Sequence, residues 1–102
     1  MAVGLAEAGC DVAVHFNRSK EDAEKTAAQV RAAGRRAVVV CADQTNGDDV
    51  GGAVDEAVRA LGQLDQIVVS AAVFERVPFV EMSRAAWDSM IATNLAGPFE
   101  WF

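Results

Sequence analysis

Apolar residues are distributed along the chain in two patterns that alternate with each other. Short continuous apolar runs occur in DVAVHF, RAVVVCA and LDQIVVSAA, at 11–16, 36–42 and 64–72. Each run predicts a strand that is buried on both faces of a sheet. Around these runs, apolar residues recur at helical spacing over 1–8, 20–33, 48–61 and 84–97. We expect the last of these helices to bury a face formed by Trp87, Met90, Ile91 and Leu95.

Start and stop signals support the same boundaries. Three of the helical stretches are followed by a glycine that can end a helix, namely Gly9, Gly34 and Gly62. Ser19 and Ser83 precede two helices as candidate capping residues. Strands that alternate with helices predict a parallel sheet with right-handed crossovers and helices on both faces. We therefore predict a single α/β domain over all 102 residues, with a Rossmann-like three-layer α/β/α architecture and three parallel strands.

Composition and charge limit the classes of function. The net charge of −6 disfavours binding to a phosphate backbone, because nucleic-acid-binding proteins usually present a basic face. No apolar run approaches the roughly 20 residues of a membrane helix, and the first residues lack the features of a signal peptide. Cys10 and Cys41 have neither metal-ligand nor CxxC spacing, so we expect reduced thiols and no metal site. These observations predict a cytoplasmic protein that binds neither nucleic acid nor membrane.

The first predicted strand exit is Asn17-Arg18-Ser19, at the carboxyl end where parallel α/β sheets bind ligands. Arg18 suits a phosphomonoester, because a guanidinium donates two parallel hydrogen bonds. No acid stands at this strand end to bind a ribose 2′-hydroxyl, which favours NADP over NAD if a nucleotide binds. The alternative is a solvated turn in which Ser19 caps the next helix.

The other two strand exits offer a carboxylate and small side chains. Asp43 can accept a hydrogen bond from the exocyclic amine of an adenine, and the alternative is an Asx-turn before the helix. Ser70 and Ala71 let a ribose or nicotinamide lie against the backbone, and the alternative is close strand-to-helix packing. His15 lies inside a predicted strand, where we expect a buried, hydrogen-bonded imidazole rather than a ligand or a base.

Four segments together resemble the short-chain dehydrogenase/reductase family. LAEAGCDVAVHFNRS is similar to the family's second helix–strand unit, and AVVVCADQT is similar to its third strand with the adenine-contacting Asp. LGQLDQIVVSAAVF is similar to the segment usually written LG-x-LD-x-LVNNAG. WDSMIATNLAGPF is similar to the family's helix with a tryptophan followed by NL-x-G-x-F, which is the most specific part of the resemblance. The resemblance covers essentially all 102 residues in order.

The resemblance implies an NADP site at the three strand exits. The implied contacts are Asn17, Arg18 and Ser19 near the adenosine 2′-phosphate, Asp43 and Gln44 at the adenine, and Ser70 and Ala71 along the cofactor ribose. Asn94 matches the family's catalytic Asn, which holds a water that links the active-site lysine to a proton relay.

Several family motifs are missing from these residues. The catalytic Ser and Tyr-x-x-x-Lys are absent, and the chain contains no tyrosine. The glycine-rich phosphate loop TG-x-x-x-G-x-G is absent as well, and VSAA at 69–72 stands where the family has NNAG. We therefore expect this chain alone to bind NADP weakly or not at all and to catalyse no turnover.

The family's sheet order, 3-2-1-4-5-6-7, has a structural consequence. The strands kept in this chain match the second, third and fourth, so the domain lacks the first strand and the C-terminal half. The first strand lies between the second and the fourth. We expect the strands at 11–16 and 65–70 either to close up and pair, or to face each other across a gap with unpaired backbone groups.

The resemblance implies an internal fragment of an NADP-dependent oxidoreductase. In the complete protein, hydride would pass between the nicotinamide and a small-molecule carbonyl or alcohol. The alternative is a non-catalytic remnant of the same fold that binds a nucleotide or takes part in an oligomer, and a third interpretation is a small α/β domain with no nucleotide role. By analogy with the family, residues 84–102 are the candidate surface for a homo-oligomer.

Overall fold

A computed structural model describes all residues from 1 to 102. Helix α1 (Ala2–Glu7) is followed by strand β1 (Val12–Phe16), α2 (Lys20–Ala32), β2 (Ala37–Cys41) and α3 (Gly47–Leu61). After an extended segment come a 3₁₀ turn (Phe79–Glu81), α4 (Arg84–Ile91), a π-helical turn (Ala92–Ala96) and α5 (Gly97–Glu100). The predicted helices and the first two predicted strands are confirmed. None of the helices combines the length and the apolar character needed to cross a membrane.

β1 and β2 form a two-stranded parallel sheet, in register from Val12 opposite Ala37 to Phe16 opposite Cys41. α2 and α3 each contact both strands but not each other, which places them on opposite faces of the sheet. Two apolar clusters fill these faces: Ala6, Val12 and Val30 on the side of α1 and α2, and Val40, Ala42, Val50, Ala53 and Ala57 on the side of α3. The layering confirms the predicted Rossmann-like α/β/α class.

Local hydrogen bonds fix most of the helix ends. Asn46 caps α3, because its Oδ1 accepts from the backbone N–H groups two and three residues further on, at 3.1 and 3.4 Å. Ser83 caps α4 in the same way, accepting from the backbone N–H of Ala86 at 3.1 Å. Ser19 occupies the N-cap position of α2, but its hydroxyl makes no capping bond, so the predicted cap is wrong. Its ψ of 62° departs from the extended conformation that directs a capping side chain at the helix.

The amino ends of the strands are joined through Asp11. Its Oδ1 accepts from the backbone N–H of Arg36 at 2.9 Å, and its Oδ2 accepts from Arg36 Nε at 3.0 Å. Arg35 pairs with the same carboxylate at 3.0 Å, and Arg36 also donates to the carbonyl oxygen of Leu61 at the end of α3. The backbone hydrogen bond from Arg36 and these cations lower the pKa of Asp11 below its usual value.

The third predicted strand is not formed as a paired strand. Residues 63–78 belong to no helix or strand, and no backbone–backbone hydrogen bond involves residues 63–77. A cleft of about 1010 Å³, which we call the edge cleft, is lined by both β1 and residues 64–71. The prediction of three parallel strands is therefore corrected to two, and of the two alternatives for the runs at 11–16 and 65–70 the structure shows the gap with unpaired backbone groups. A run of β-branched residues becomes a strand only beside a partner, and none of these 102 residues occupies the place between the run and β1.

The helical stretch at the end of the chain also differs from its prediction. The face that was expected to be buried is largely open to solvent, with Trp87 45% exposed and Leu95 67% exposed. α4 contacts no helix or strand of the first 62 residues, and only α5 packs against α3. The radius of gyration is 15.3 Å, whereas about 13 Å is usual for a domain of this length. The chain is therefore more elongated than a compact domain of its length. No further layer of the chain packs over the apolar face of this helix.

Candidate functional site

The three strand exits predicted from the sequence meet at one cleft of about 820 Å³, which we call the exit cleft. Each of the three predicted exits contributes residues to its lining: Asn17, Arg18 and Ser19, then Asp43, Gln44 and Thr45, then Ala71, Ala72 and Val73. The carboxyl end of β1 and the loop that follows β2 line it, as expected for a parallel α/β sheet. Six of the seven predicted cofactor contacts therefore lie around one cavity. The seventh, Ser70, lines the edge cleft instead.

Arg18 offers an uncommitted positive charge at the exit cleft. Its side chain is exposed and takes part in no hydrogen bond or ion pair within the chain. Its charge nevertheless acts on Asp43. Hydrogen bonds from the Thr45 hydroxyl and backbone N–H are the main causes that lower the pKa of Asp43, and the field of Arg18 adds to them. The cleft thus carries the free guanidinium of Arg18 and the carboxylate of Asp43, which is ionised at neutral pH, and the carboxylate of Asp22 lines it as well.

Asp43 uses only one of its oxygens within the chain. Its Oδ1 accepts from Thr45 N at 2.9 Å and from Thr45 Oγ1 at 2.7 Å, which is the Asx-turn that the sequence allowed. Its Oδ2 accepts no hydrogen bond from the chain. The turn therefore holds the carboxylate in place while one oxygen remains available to a donor in the cleft.

Gln44 is the one buried polar side chain, with an exposed fraction of 5%. Its Nε2 donates to the carbonyl oxygens of Ala71 at 3.2 Å and Thr93 at 2.6 Å. Its Oε1 accepts from Trp101 Nε1 at 3.4 Å. Gly97 packs against it so closely that a Cβ there would lie 2.9 Å from Gln44 Cγ. Both amide N–H groups are thus committed inside the protein, and any contact with a ligand would come from the remaining atoms of the residue.

Asn94 lies in the π-helical turn, a local distortion that is frequent at functional sites. Its Nδ2 donates to the carbonyl oxygen of Val73 at 2.7 Å, and its Oδ1 accepts from the backbone N–H of Val73 at 2.9 Å. The carboxamide therefore fixes the segment that lines the exit cleft. It retains one N–H and one lone pair for a further partner, because a primary amide can make about four hydrogen bonds.

His15 lies where the exit cleft and the edge cleft adjoin, next to Trp101 of the edge cleft. The Nε2 of His15 lies 2.8 Å from the carbonyl oxygen of Ala42, and its ring meets the Trp101 ring edge-on with centroids 4.9 Å apart. His15 lines both clefts. The imidazole is hydrogen-bonded as expected, but it is half-buried rather than buried.

The structure also brings residues to the exit cleft that sequence reasoning missed. They come from one face of α2 and from the helical stretch at the end of the chain: Asp22, Thr26, Ser89 and Thr93. Each pair has the i, i+4 spacing of neighbours on one helix face, a signal that the sequence contains. No group of three or more His, Cys, Asp or Glu side chains is placed to hold a metal ion, and both cysteines are free.

Comparison with known proteins identifies the family. The sequence profile of the short chain dehydrogenases matches residues 1–102. A 3-oxoacyl-(acyl-carrier-protein) reductase of Staphylococcus epidermidis is 33% identical over 99 residues, which cover 97% of this chain and 41% of that protein. A 2-dehydro-3-deoxy-D-gluconate 5-dehydrogenase of Dickeya dadantii is 38% identical over 100 residues, covering 97% of this chain and 38% of that protein.

Solved structures give the same result. A dehydrogenase of Burkholderia cenocepacia with bound NADP superposes with a TM-score of 0.92 and 37% identity, over 98% of this chain and 39% of that one. A short chain dehydrogenase of Burkholderia cenocepacia J2315 in complex with NADP gives a TM-score of 0.91 and 30% identity, over 98% and 42%. The chain spans about two fifths of the length of these relatives. It belongs to the short-chain dehydrogenase/reductase family.

Proposed function

We propose that this chain supplies the adenosine-binding part of an NADP-dependent oxidoreductase. The observation that carries the proposal is the convergence of the three predicted strand exits on one cleft, where the free guanidinium of Arg18 acts on the carboxylate of Asp43. The NADP bound by two structural relatives supports it. In the complete protein, the bound cofactor would supply hydride exchange with a small-molecule carbonyl or alcohol.

The residues present fit the adenosine end of this cofactor. Arg18 has no partner within the chain, and a guanidinium can donate two parallel hydrogen bonds to a 2′-phosphate. Asn17 and Ser19 flank it with an amide and a hydroxyl. The free Oδ2 of Asp43 can accept from the exocyclic amine of the adenine. Ala71 also lines the cleft and has no bulky side chain.

Asn94 is the residue for which we propose a catalytic role. Its carboxamide holds Val73 at the wall of the exit cleft and keeps one N–H and one lone pair free. In the complete protein this remaining capacity would bind a water of the proton relay. Ser70 lines the edge cleft and not the exit cleft, and we propose that it contacts the cofactor ribose through its backbone.

The test compares two ligands that differ only in the 2′-phosphate: adenosine 2′,5′-bisphosphate and adenosine 5′-monophosphate. Each is titrated into the ¹⁵N-labelled chain, and the amide shifts of the exit cleft are followed. We expect dissociation constants on the order of millimolar, with the bisphosphate bound more tightly. Arg18→Gln should abolish the preference, because it removes the bidentate donor. Arg59→Gln is the control, since Arg59 is exposed on α3 and does not line the exit cleft.

Two outcomes would contradict the proposal. One is a folded chain whose exit-cleft amides respond to neither ligand. The other is an Arg18→Gln variant that keeps the full preference for the bisphosphate.

A second proposal concerns assembly, and it rests on the exposed apolar face of the last helical stretch. Ile91, Leu95 and Phe99 recur every four residues and are 38%, 67% and 78% exposed. We infer that this face, within residues 84–102, mediates a homo-oligomer. Oligomer formation is also the alternative function that we propose if the chain binds no nucleotide. Sedimentation equilibrium should show concentration-dependent association that Leu95→Glu abolishes, whereas Arg59→Glu, at an exposed position of α3 outside residues 84–102, should not. A monomeric wild-type chain at high concentration would refute this proposal.

A further inference from the structure

The π-helical turn places the carbonyl group of Thr93 where its own helix does not supply the usual donor. The N–H of Gly97, which closes the turn, bonds to the carbonyl oxygen of Ala92, five residues back. In an α-helix the same N–H would bond to the carbonyl oxygen of Thr93, four residues back. The next residue is Pro98, which has no N–H to donate. Neither of these two residues therefore donates to Thr93.

Gln44 supplies the missing donor from the exit of β2. Its Nε2 lies 2.6 Å from the Thr93 carbonyl oxygen, the shortest of the three hydrogen bonds that its carboxamide makes. The approach requires a glycine at position 97, since a Cβ there would lie 2.9 Å from Gln44 Cγ. Gln44 is buried, so bulk water does not compete for this carbonyl group. Gly97 thus makes the room, Pro98 withholds the N–H, and Gln44 donates in its place.

Asn94 follows Thr93 directly, so the register of the turn decides where the Asn94 carboxamide points. A helix turns by about 100° per residue. Loss of the extra residue in the π-helical turn would rotate Asn94 by about that angle relative to Gly97 and turn its carboxamide away from Val73. In the structure this carboxamide makes two hydrogen bonds with the backbone of Val73, at 2.7 and 2.9 Å. Both bonds therefore depend on the π register.

We propose that Gln44 is a positioning residue for Asn94. By donating to the Thr93 carbonyl group it holds the π register, and this register aims the Asn94 carboxamide at the wall of the exit cleft. The consequence for catalysis rests on the function proposed above for Asn94. In the complete protein, a change at Gln44 would act on the proton relay through Asn94 and not through contact with the cofactor.

The amide of Val73 is a direct reporter of this arrangement. Residues 63–77 make no backbone–backbone hydrogen bond, so the one partner of the Val73 N–H within the chain is Asn94 Oδ1. Hydrogen exchange of this amide is measured in the ¹⁵N-labelled chain without nucleotide. Gln44→Glu removes the amide donor but keeps the size of the side chain and an acceptor for Trp101. With the introduced carboxyl ionised, we expect the protection of Val73 to fall by about tenfold.

Acid should restore the protection in Gln44→Glu, because a protonated carboxyl has an O–H that can donate to Thr93. Burial raises the pKa of the introduced carboxyl above the usual value of about 4.3. We therefore expect the protection of Val73 to return towards the wild-type value between about pH 8 and about pH 5. Wild type over the same range controls for every other group that titrates. Gln29→Glu, at an exposed position of α2, controls for the added charge.

Two further variants separate positioning from a general tether between the last helices and the sheet. Trp101→Phe removes the bond to Gln44 Oε1 and leaves Nε2 in place, so the protection of Val73 should stay within about threefold of wild type. Gly97→Ala pushes a methyl group against Gln44 and should lower the protection by about tenfold, although alanine favours a helix more than glycine does. It keeps the test decisive if Gln44→Glu does not fold. Gly51→Ala, at an open site of α3, is its control.

Three results would overturn the inference. The Val73 amide could keep its wild-type protection in Gln44→Glu while the introduced carboxyl is ionised. The protection could fail to return in acid. Trp101→Phe could lower it as much as Gly97→Ala, which would make Gln44 a tether and not a positioning residue. These measurements contain no nucleotide, so a chain that binds none would refute the proposed function and leave this inference standing.

Discussion

Replacement of Gln44 tests how the last third of the chain is held to the sheet. Its carboxamide joins the exit of β2 to Ala71, Thr93 and Trp101, which lie 27, 49 and 57 residues further along the chain. Gln44→Met keeps the length and approximate volume of the side chain and removes all three hydrogen bonds. We expect residues 71–102 to loosen from the sheet while β1, β2 and the helices packed on them stay folded.

The geometry of the three hydrogen bonds sets the expected loss in the free energy of unfolding. The bonds to Thr93 at 2.6 Å and to Ala71 at 3.2 Å each contribute about 1 kcal/mol, and the 3.4 Å bond from Trp101 contributes less. Leaving a buried carbonyl oxygen without a donor adds to the loss. The expected cost is about 2–3 kcal/mol, a large fraction of the roughly 5 kcal/mol at the lower end of stability for a chain of this size.

The assay is urea unfolding followed by tryptophan fluorescence in a Trp87→Phe background, so that Trp101 beside Gln44 is the reporter. Gln63→Met is the matched control, because Gln63 is exposed and bonds only to its neighbour Asp65. Hydrogen exchange of α4 amides shows whether the loss is local. A Gln44→Met chain whose stability lies within about 0.5 kcal/mol of the Gln63→Met control would refute the reasoning.

Two further predictions concern pH and backbone conformation. The pKa of Asp11 is lowered by the backbone hydrogen bond from Arg36, so its contribution to stability is complete above about pH 4 and is lost as the pH falls through the lower folded value. Wild type and Asp11→Asn should therefore differ in urea midpoint at pH 7 and converge in acid; a gap that persists in acid would contradict this. Gly62→Ala should destabilise by about 1 kcal/mol, because Gly62 has a φ of 90°, whereas Gly51→Ala in the open interior of α3 should stabilise by about 0.5–1 kcal/mol. Equal thermal shifts for the two alanine variants would count against the conformational argument.

The strand exits could be predicted from the sequence because their position depends on a general rule. Once 11–16 and 36–42 are parallel strands, Asn17 and Asp43 must emerge at the same edge, and the structure places both at the exit cleft. The glycine stop signals are local as well, and each has the positive φ that ends a helix at Gly9, Gly34 and Gly62.

The features that could not be predicted depend on partners far along the chain or outside it. A glutamine after a turn aspartate is usually exposed, and Gln44 is buried only because Thr93 and Trp101 fold back onto it. The run at 64–72 has strand composition, but composition does not supply the neighbour that a strand requires. The apolar face containing Leu95 is exposed for the same reason, because its spacing shows that it can be buried but not what would bury it.

The distribution of buried residues sets the order in which this chain can fold during synthesis. Eleven of the twelve buried residues lie within the first 62, and Gly97 is the twelfth. Both paired strands and the helices on each face are therefore complete once this part has left the ribosome, and translation delivers only about 5–20 residues per second. The last forty residues reach a surface that already exists and attach through a few contacts. A protease would accordingly cut first within the extended residues 63–77 and release the amino-terminal unit intact.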